Sequence, residues 1–482
     1  MAKTKKETKE QVVTVDSLYK EIKKVKDVLA SAGVDASSYI QQLSYLLFLK
    51  MDKERVEDLG FKSLLPADCS WDKLLENKGD EIVTEYNRIL KELSEQNAGI
   101  VKTIFSKAVN SIHTPAHLNK VIDLIGKRTW LGTDTDFNGD LYEKILEENG
   151  TDTKSSGGVY FTPRPLINAI VDCVQPKITE TVHDPACGTG GFLLQAFKFM
   201  KNQSSDQELQ TALQTKNISG NDNAPMIVTL ASMNMYLHGI GKGKSPINHE
   251  DSLVNPQHDY YDVILANPPF GARPAGSIGI NRQDFCATTS NNEYNFLQHI
   301  MACLKTTGRA AVVFPDSIMS GSGNAESTIR NKLFEDFNLH TVLRLPRGLF
   351  YASIQTNVLF FDAGSKTEKI WFYDYRAGVK HTIATNPLKR SDLDDFVKCY
   401  CADDKDKRVE TYNAETNPNG RWRCFDVEEI KKSDKALDQS WIVLDDDISK
   451  VKLEDILKGM NDESDNIVKT LKSIQDFIDA LR

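Results

Sequence analysis

The four residues Asn267-Pro268-Pro269-Phe270 constrain this chain more than any other stretch of it. They follow Tyr261-Asp262-Val263-Ile264-Leu265-Ala266, a short apolar run that reads as a buried strand ending at its carboxyl edge. Two successive prolines cannot continue a hydrogen-bonded ladder or begin a regular helical turn, so the backbone beyond the strand is extended and stiff. The Asn267 amide and the carbonyl groups beside it are thereby fixed in space, and Phe270 adds an aromatic face. Fixed acceptors next to an aromatic ring suit a flat molecule with an amino group on its edge, such as a nucleobase. A proline-stiffened turn after a core strand would explain the same four residues if they stood alone.

Their company changes the balance. A short strand near residues 179–183 runs into His183-Asp184-Pro185-Ala186-Cys187-Gly188-Thr189-Gly190-Gly191-Phe192, and a helix is expected from Gly191 to about Met200. Glycines let a backbone approach a ligand closely and take positive φ, and the helix points its amino terminus at that ligand. The loop lacks the Gly-Lys-Ser/Thr of a phosphate-binding loop and the spacing of the nicotinamide fingerprint. Asp184 suits the amino group of an amino acid or a bridging water. A second strand over residues 218–222 ends in Asp222, where open parallel sheets hold two ribose hydroxyls. A helix over residues 224–238 and a third strand over residues 247–253, with Asp251 at its edge, lead to the strand before Asn267. Alternating strands and helices imply right-handed crossovers and a parallel sheet, whose ligands sit at the carboxyl ends of the strands. Asp184, Asp222, Asp251 and Asn267 all fall at such ends.

The first 140 residues read as a helical domain. After a charged, disordered start over residues 1–13, helices are expected over residues 15–32, from Asp35 to about Leu49, and over residues 82–93, 100–109 and 117–125. Asp35 is placed to cap the second helix, and Gly33 to stop the first. Residues 150–158 have the composition of a linker. In Val159-Tyr160-Phe161-Thr162-Pro163-Arg164, Thr162 is expected as the cap of a helix and Pro163 as its first residue. Beyond Phe270, residues 271–292 lack periodicity and carry Arg273 and Arg282; they read as a loop that orders over DNA or stays mobile. Helices then alternate with strands to about residue 361, the last two strands forming an antiparallel closing hairpin, and residues 369–375 add an edge strand. Residues 402–440 are polar and poorly patterned. Residues 466–481 carry a short heptad stripe, a helix that needs a partner, on its own domain or on another subunit. The chain thus divides into residues 1–140, 141–400 and 401–482.

A net charge of −9 over 482 residues makes the surface as a whole repel nucleic acid, so any DNA contact must use a local basic patch or a partner's surface. The eight cysteines are scattered and read as reduced thiols in the cytoplasm. Cys399, Cys401 and Cys424 lack zinc spacing, Pro115 interrupts the pair His113 and His117, and no metal site is expected. Neither a signal peptide nor an apolar run of membrane-spanning length is present.

The Asp184 loop and Asn267-Pro268-Pro269-Phe270 together resemble the two signature motifs of amino-group methyltransferases that use S-adenosylmethionine. More widely, the chain resembles the modification subunit of type I restriction–modification systems, the adenine-specific DNA methyltransferase component. The resemblance runs through Leu46-Leu47-Phe48-Leu49-Lys50, Leu141-Tyr142-Glu143, Tyr160-Phe161-Thr162-Pro163-Arg164, the Asp184 loop, Asn234 with His238, Asn267 to Phe270, Phe296-Leu297-Gln298-His299, Gly308 to Pro315 and Leu345-Pro346 to Phe350. It implies an α/β, Rossmann-like S-adenosylmethionine-dependent methyltransferase domain with an N-terminal all-helical domain and a C-terminal helical tail. It implies a catalytic set of Asn267, Pro268, Pro269 and Phe270. The implied cofactor-binding set is Glu143, Val159 to Arg164, Asp184 to Gly191, Asp222, Asn223, Asp251 and Ser252. The second-strand acid is Asp222 where this family typically has glutamate, which would shift the ribose contacts slightly.

The resemblance also implies partners: DNA, a specificity subunit that reads the sequence, a restriction subunit (nuclease and translocase), and a second copy of the chain. The implied reaction flips an adenine out of the duplex, stacks it on Phe270 and methylates its exocyclic N6 amine. Three readings compete. The chain could be a self-sufficient methyltransferase, including one acting on cytosine, on RNA amines or on protein glutamine, although the protein and RNA enzymes typically end the motif in tyrosine. It could be a non-catalytic assembly subunit that keeps the fold, or a nicotinamide-dependent oxidoreductase, which the missing glycine fingerprint disfavours.

Overall fold

The computed structural model describes residues 15–96, 99–130, 162–241, 243–254, 259–273, 276, 279–280, 282–321, 323–350, 354–382, 385–432 and 437–442. The expected disordered start, Glu143, the linker, Val159, Tyr160, Phe161 and the terminal helix lie outside the described residues.

Among the described residues the N-terminal helices are α1 Val15–Ser31, α2 Ala36–Leu59, α3 Trp71–Leu75, α4 Glu81–Ser94, α5 Ile100–Phe105 and α6 Pro115–Gly126. Gly33 ends α1 with φ +79, and Asp35 caps α2 by accepting the Ser38 N–H at 2.9 Å. The run from Tyr45 to Leu49 is buried all round, so α2 is the axis of this helical unit.

The described strands form one nine-stranded sheet: β1 Val182–Asp184, β2 Ile218–Asp222, β3 Ile247–His249, β4 Tyr261–Ala266, β5 Leu304–Pro315, β6 Phe337–Arg344, β7 Thr356–Ala363, β8 Lys369–Asp374 and β9 Trp422–Asp426. Their order is β3-β2-β1-β4-β5-β7-β6-β8-β9. The first five of these are parallel neighbours, β7 runs antiparallel between β5 and β6, and β8 is parallel to β6. The crossovers therefore turn one way after β1 and the other way after β3, and the crevice lies between the ends of β1 and β4. Helices α7 Arg164–Val174, α8 Gly191–Lys201, α9 Gln207–Thr215, α10 Pro225–Leu237 and α11 Asn292–Cys303 cover the sheet. Alternation along β4 separates its two faces: Val263 and Leu265 join the core under α7, α8 and α10, while Ile264 and Ala266 join the core under α11. Among the described residues no helix is long and apolar enough to cross a membrane.

Four expectations are corrected. Strand β3 stops at His249 because Asp251 closes a turn, its carboxylate accepting the Leu253 N–H at 3.0 Å. The strand expected over residues 369–375 is not at the edge: β9 pairs antiparallel with it, from Lys369 opposite Asp426 to Tyr373 opposite Trp422. That outer strand comes from the stretch read as unpatterned, where Trp422 is fully buried and stacks on Trp371. Helix α9 has no counterpart in the sequence reading; Asp206 caps it by accepting from Glu208 and Leu209. Lastly, α7 starts after Pro163, and Thr162 makes no capping bond.

Candidate active site at the ends of β1 and β4

Asn267 leaves β4 beside β1, whose Val182 and His183 sit opposite Val263 and Ile264. The Asn267 amide nitrogen donates to the Thr162 hydroxyl at 3.0 Å, across 105 residues of chain. The hydroxyl expected to cap α7 is thus spent on this amide. In this orientation the nitrogen of the amide faces Thr162 and the oxygen lies at its other end. The end able to accept from an amine is therefore the oxygen. Pro268 is buried, and Phe270 is half-buried against the core below α7 and α8. The next residue is pinned as well: the Gly271 N–H donates to the Glu293 carboxylate at 2.7 Å, and the Asn292 N–H returns to the Gly271 carbonyl at 2.8 Å. Glu293 is buried at the start of α11.

The loop after β1 folds on its own backbone. The Cys187 N–H donates to the Asn221 carbonyl at 2.9 Å and the Gly190 N–H to the Cys187 carbonyl at 2.8 Å. Gly188 and Gly190 take φ of +54 and +88, a region costly for other residues. A side chain on Gly191 would strike the Arg164 guanidinium. A cation therefore sits against the amino terminus of α8, and both attract an anion. Asp184 lies fully buried at the other side of the loop, accepting the Ala186 N–H at 3.0 Å. Burial, with Asp222 adding repulsion, pushes its carboxyl up to about 8. A cationic group brought to Asp184 would favour its ionised form. An anion-seeking corner and a buried carboxylate flanking one glycine loop match the two ends of an amino-acid zwitterion. Cys187 is no nucleophile, since burial holds its thiol well above the usual range.

The Asp222 carboxylate spans the same loop from the end of β2, accepting the Gly188 N–H at 3.3 Å and the Ala224 N–H at 2.9 Å. Burial raises its carboxyl too. Asn223 is exposed, and its carbonyl meets His249 Nε2 at 3.1 Å. Ser252 is buried: its hydroxyl donates to the Pro185 carbonyl at 2.8 Å and accepts from Asn221 at 3.2 Å, tying the β3 turn to the glycine loop. Asp251 pairs with Arg273 at 2.9 Å. The other arginine of this loop, Arg282, is fully buried in its side chain and bonds Asp284, the Ser252 carbonyl at 3.3 Å and His299 at 3.2 Å. It braces the loop from inside. No sequence signal marks it, because a buried arginine depends on partners supplied by three separate segments. Thr189, finally, is held from behind: its carbonyl accepts from Asn234 at 3.1 Å.

A parallel 3-2-1-4-5 sheet with an antiparallel strand inserted beyond it, a glycine loop after β1, an acid after β2 and Asn-Pro-Pro-Phe after β4 define an amino-group methyltransferase of the Rossmann-like class. Comparison with known proteins sharpens this. The profile of the N-6 DNA methylase family matches residues 133–450, and that of the HsdM N-terminal domain matches residues 18–125. The chain is 33% identical over 471 residues to the StySPI type I restriction enzyme methylase subunit of Salmonella potsdam, covering 87% of this chain and 86% of that one. It is likewise 33% identical over 468 residues to the EcoKI methylase subunit of Escherichia coli K12, with the same coverage. Among solved structures, the modification subunit of a type I restriction enzyme from Vibrio vulnificus YJ016 superposes with a TM-score of 0.74 at 28% identity, covering 88% of this chain and 94% of that one. The chain belongs to the N-6 DNA methylase family, among the methylase subunits of type I restriction enzymes.

Proposed function

We propose that the chain transfers a methyl group from S-adenosylmethionine to the N6 amine of a flipped adenine, with Asn267, Pro268, Pro269 and Phe270 as the reacting face. The observation that carries this is the Asn267–Thr162 hydrogen bond, which orients an amide at the carboxyl end of β4, next to the glycine loop. Asn267 Oδ1 and the Pro268 carbonyl accept the two amine hydrogens and draw the nitrogen lone pair out of conjugation with the ring. Pro269 keeps the carbonyl from turning away, and Phe270 stacks on the base, offsetting part of the few kcal/mol that unstacking costs. The cofactor supplies an electrophilic methyl carbon whose leaving group is a neutral thioether. The methylated amine sheds its extra proton to water afterwards, so the chain needs no strong base, and positioning dominates the rate. Arg164 and the amino terminus of α8 hold the cofactor carboxylate, Asp184 its amino group, and Asp222 its ribose, with Gly188 to Gly191 giving close approach. The family resemblance adds Glu143, Val159, Tyr160, Phe161 and Pro163 to the cofactor-binding residues, with Asn223, Asp251 and Ser252 on the adenosine side.

By kinship with the type I methylase subunits, the chain works with a specificity subunit, a restriction subunit and a second copy of itself, in the cytoplasm. The test is methyl transfer from labelled S-adenosylmethionine into DNA, with and without the specificity subunit, followed by nucleoside analysis. Label in N6-methyladenine only when both are present is the expected result. Transfer by this chain alone would overturn the division of labour, and label in another base would overturn the adenine assignment.

Thr162 gives a sharper test of the amide geometry. Thr162→Val keeps shape but removes the acceptor, a loss of about 1 kcal/mol that permits the amide to turn. Methylation should slow about fivefold with cofactor affinity nearly unchanged, and Thr162→Ser should restore it. An unimpaired Thr162→Val enzyme would show that the bond does not orient Asn267.

A further inference from the structure

Helix α10 touches the glycine loop with one side and the helical domain with the other. On the loop side, Asn234 is fully buried and donates to the Thr189 carbonyl at 3.1 Å, and the Met235 methyl lies 2.7 Å from where a Cβ on Gly190 would stand. On the opposite side, Tyr236 enters the helical domain. Its hydroxyl donates to Asp52 on α2 at 2.6 Å and accepts the Leu64 N–H at 3.0 Å. The Arg55 guanidinium lies over the Tyr236 ring at 4.4 Å and over Phe61 at 4.5 Å, and Phe48 packs on the same ring at 5.1 Å. Asp52 also accepts from Ser63 at 2.7 Å. Asp52, Arg55 and Tyr236 are all at most 4% exposed.

A helix turns 100° per residue, so residues 234 and 236 point to nearly opposite sides. Covering the core would need only an apolar residue at 236. A hydroxyl gripped by a buried carboxylate and a backbone N–H instead fixes α10 in both axial position and rotation, because hydrogen bonds are directional where apolar contacts are not. Any slip of α10 is passed on to Thr189 and Gly190, the residues directly beyond Asn234 and Met235.

We propose that Asp52, Arg55 and Tyr236 form a clasp by which the helical domain sets the height of the glycine loop, making them positioning residues for methyl-donor binding. The proposal rests on the reading of that loop as the cofactor cradle. It does not require these residues to touch any ligand.

The full-length chain can be tested by titration calorimetry with S-adenosylmethionine, by thermal unfolding, and by hydrogen exchange at the amides of Gly188 and Gly190. Tyr236→Phe and Asp52→Asn are the test variants. Leu29→Ala, a cavity in α1 of the same domain, is the control for lost stability alone. The expected result is that Tyr236→Phe weakens cofactor binding about tenfold and speeds exchange at the loop amides. Leu29→Ala should lower the melting temperature at least as far while leaving affinity within about twofold. The clasp is overturned if the loop amides exchange alike in Tyr236→Phe and in the unaltered chain, or if Leu29→Ala weakens binding equally. The exchange measurement needs no ligand. Failure of the unaltered chain to bind S-adenosylmethionine therefore refutes the cradle reading and leaves the mechanical coupling judged by exchange alone.

Discussion

Asn267→Ala should abolish methyl transfer, with a fall on the order of 10³-fold or more, while S-adenosylmethionine still binds. Removing one preorganised hydrogen-bonding group from a reacting centre costs about 10²–10³ in rate. Here the loss is compounded, because Asn267 also anchors the chain to Thr162 at the mouth of α7. The truncation leaves the Thr162 hydroxyl to water and the amine with the Pro268 carbonyl alone. The fold should be indifferent, since Asn267 sits beyond the last paired residue of β4, with Pro268 and Pro269 holding the backbone. Measuring cofactor affinity and single-turnover methylation on the same preparation separates the outcomes. If affinity and transfer disappear together, Asn267 belongs to the cofactor cradle and its placement under the amine is wrong.

Asp184→Asn should show its effect in affinity and in pH dependence. Burial raises the Asp184 carboxyl from 3.8 to about 8, so without cofactor it is mostly neutral at pH 7. The folded state holds this proton more tightly than the unfolded chain does. Its contribution to stability is fully present below about pH 4 and is lost as pH rises towards 8. A cationic amino group favours the carboxylate, so binding below pH 8 expels a proton. Affinity should therefore climb from pH 6 to 7.5, by at most about tenfold per unit. Asp184→Asn should flatten that climb and weaken binding at pH 7.5 by about 2 kcal/mol, roughly 30-fold, the value of a charge-assisted hydrogen bond. Calorimetry in two buffers of different ionisation enthalpy counts the proton directly. Binding without proton release at pH 6.5 would mean that the cofactor's amino group lies elsewhere. The stability slope gives an independent check, because cofactor-free Asp184→Asn should lose less stability than the unaltered chain between pH 5 and 8.

The parallel half of the sheet was legible because its signals are local. Residues 261–266 are a largely apolar run with β-branched Val263 and Ile264, residues 218–222 open on β-branched Ile218 and end on Asp222, and both form strands with those bounds. The glycine loop and the proline pair likewise announce themselves through residues with unusual backbone freedom. Strand β9 was hidden, because Trp422, Cys424 and Phe425 are separated by arginine and followed by acids, and only the edge of β8 gives that stretch a ladder to join. The antiparallel β6 and β7 were expected as a hairpin at the end of the sheet. Their placement with β7 next to β5 depends on which edge is still open when the chain returns.

By itself the sequence determined which chemical groups stand at the strand ends and in what order: Asp184 with its glycines, Asp222, then Asn267 with its two prolines. Local sterics and hydrophobic periodicity suffice for that. Tertiary structure alone decided what those groups touch. It turned Thr162 from a helix cap into the anchor of Asn267, buried Arg282 among Asp284, Ser252 and His299, and set α10 between the helical domain and the loop. Such bonds join residues from 2 to 184 positions apart, and the longest of them depends on α2 lying against α10. A hydrogen bond reaches about 3 Å, so its partner is fixed only once the strands and helices have found their neighbours.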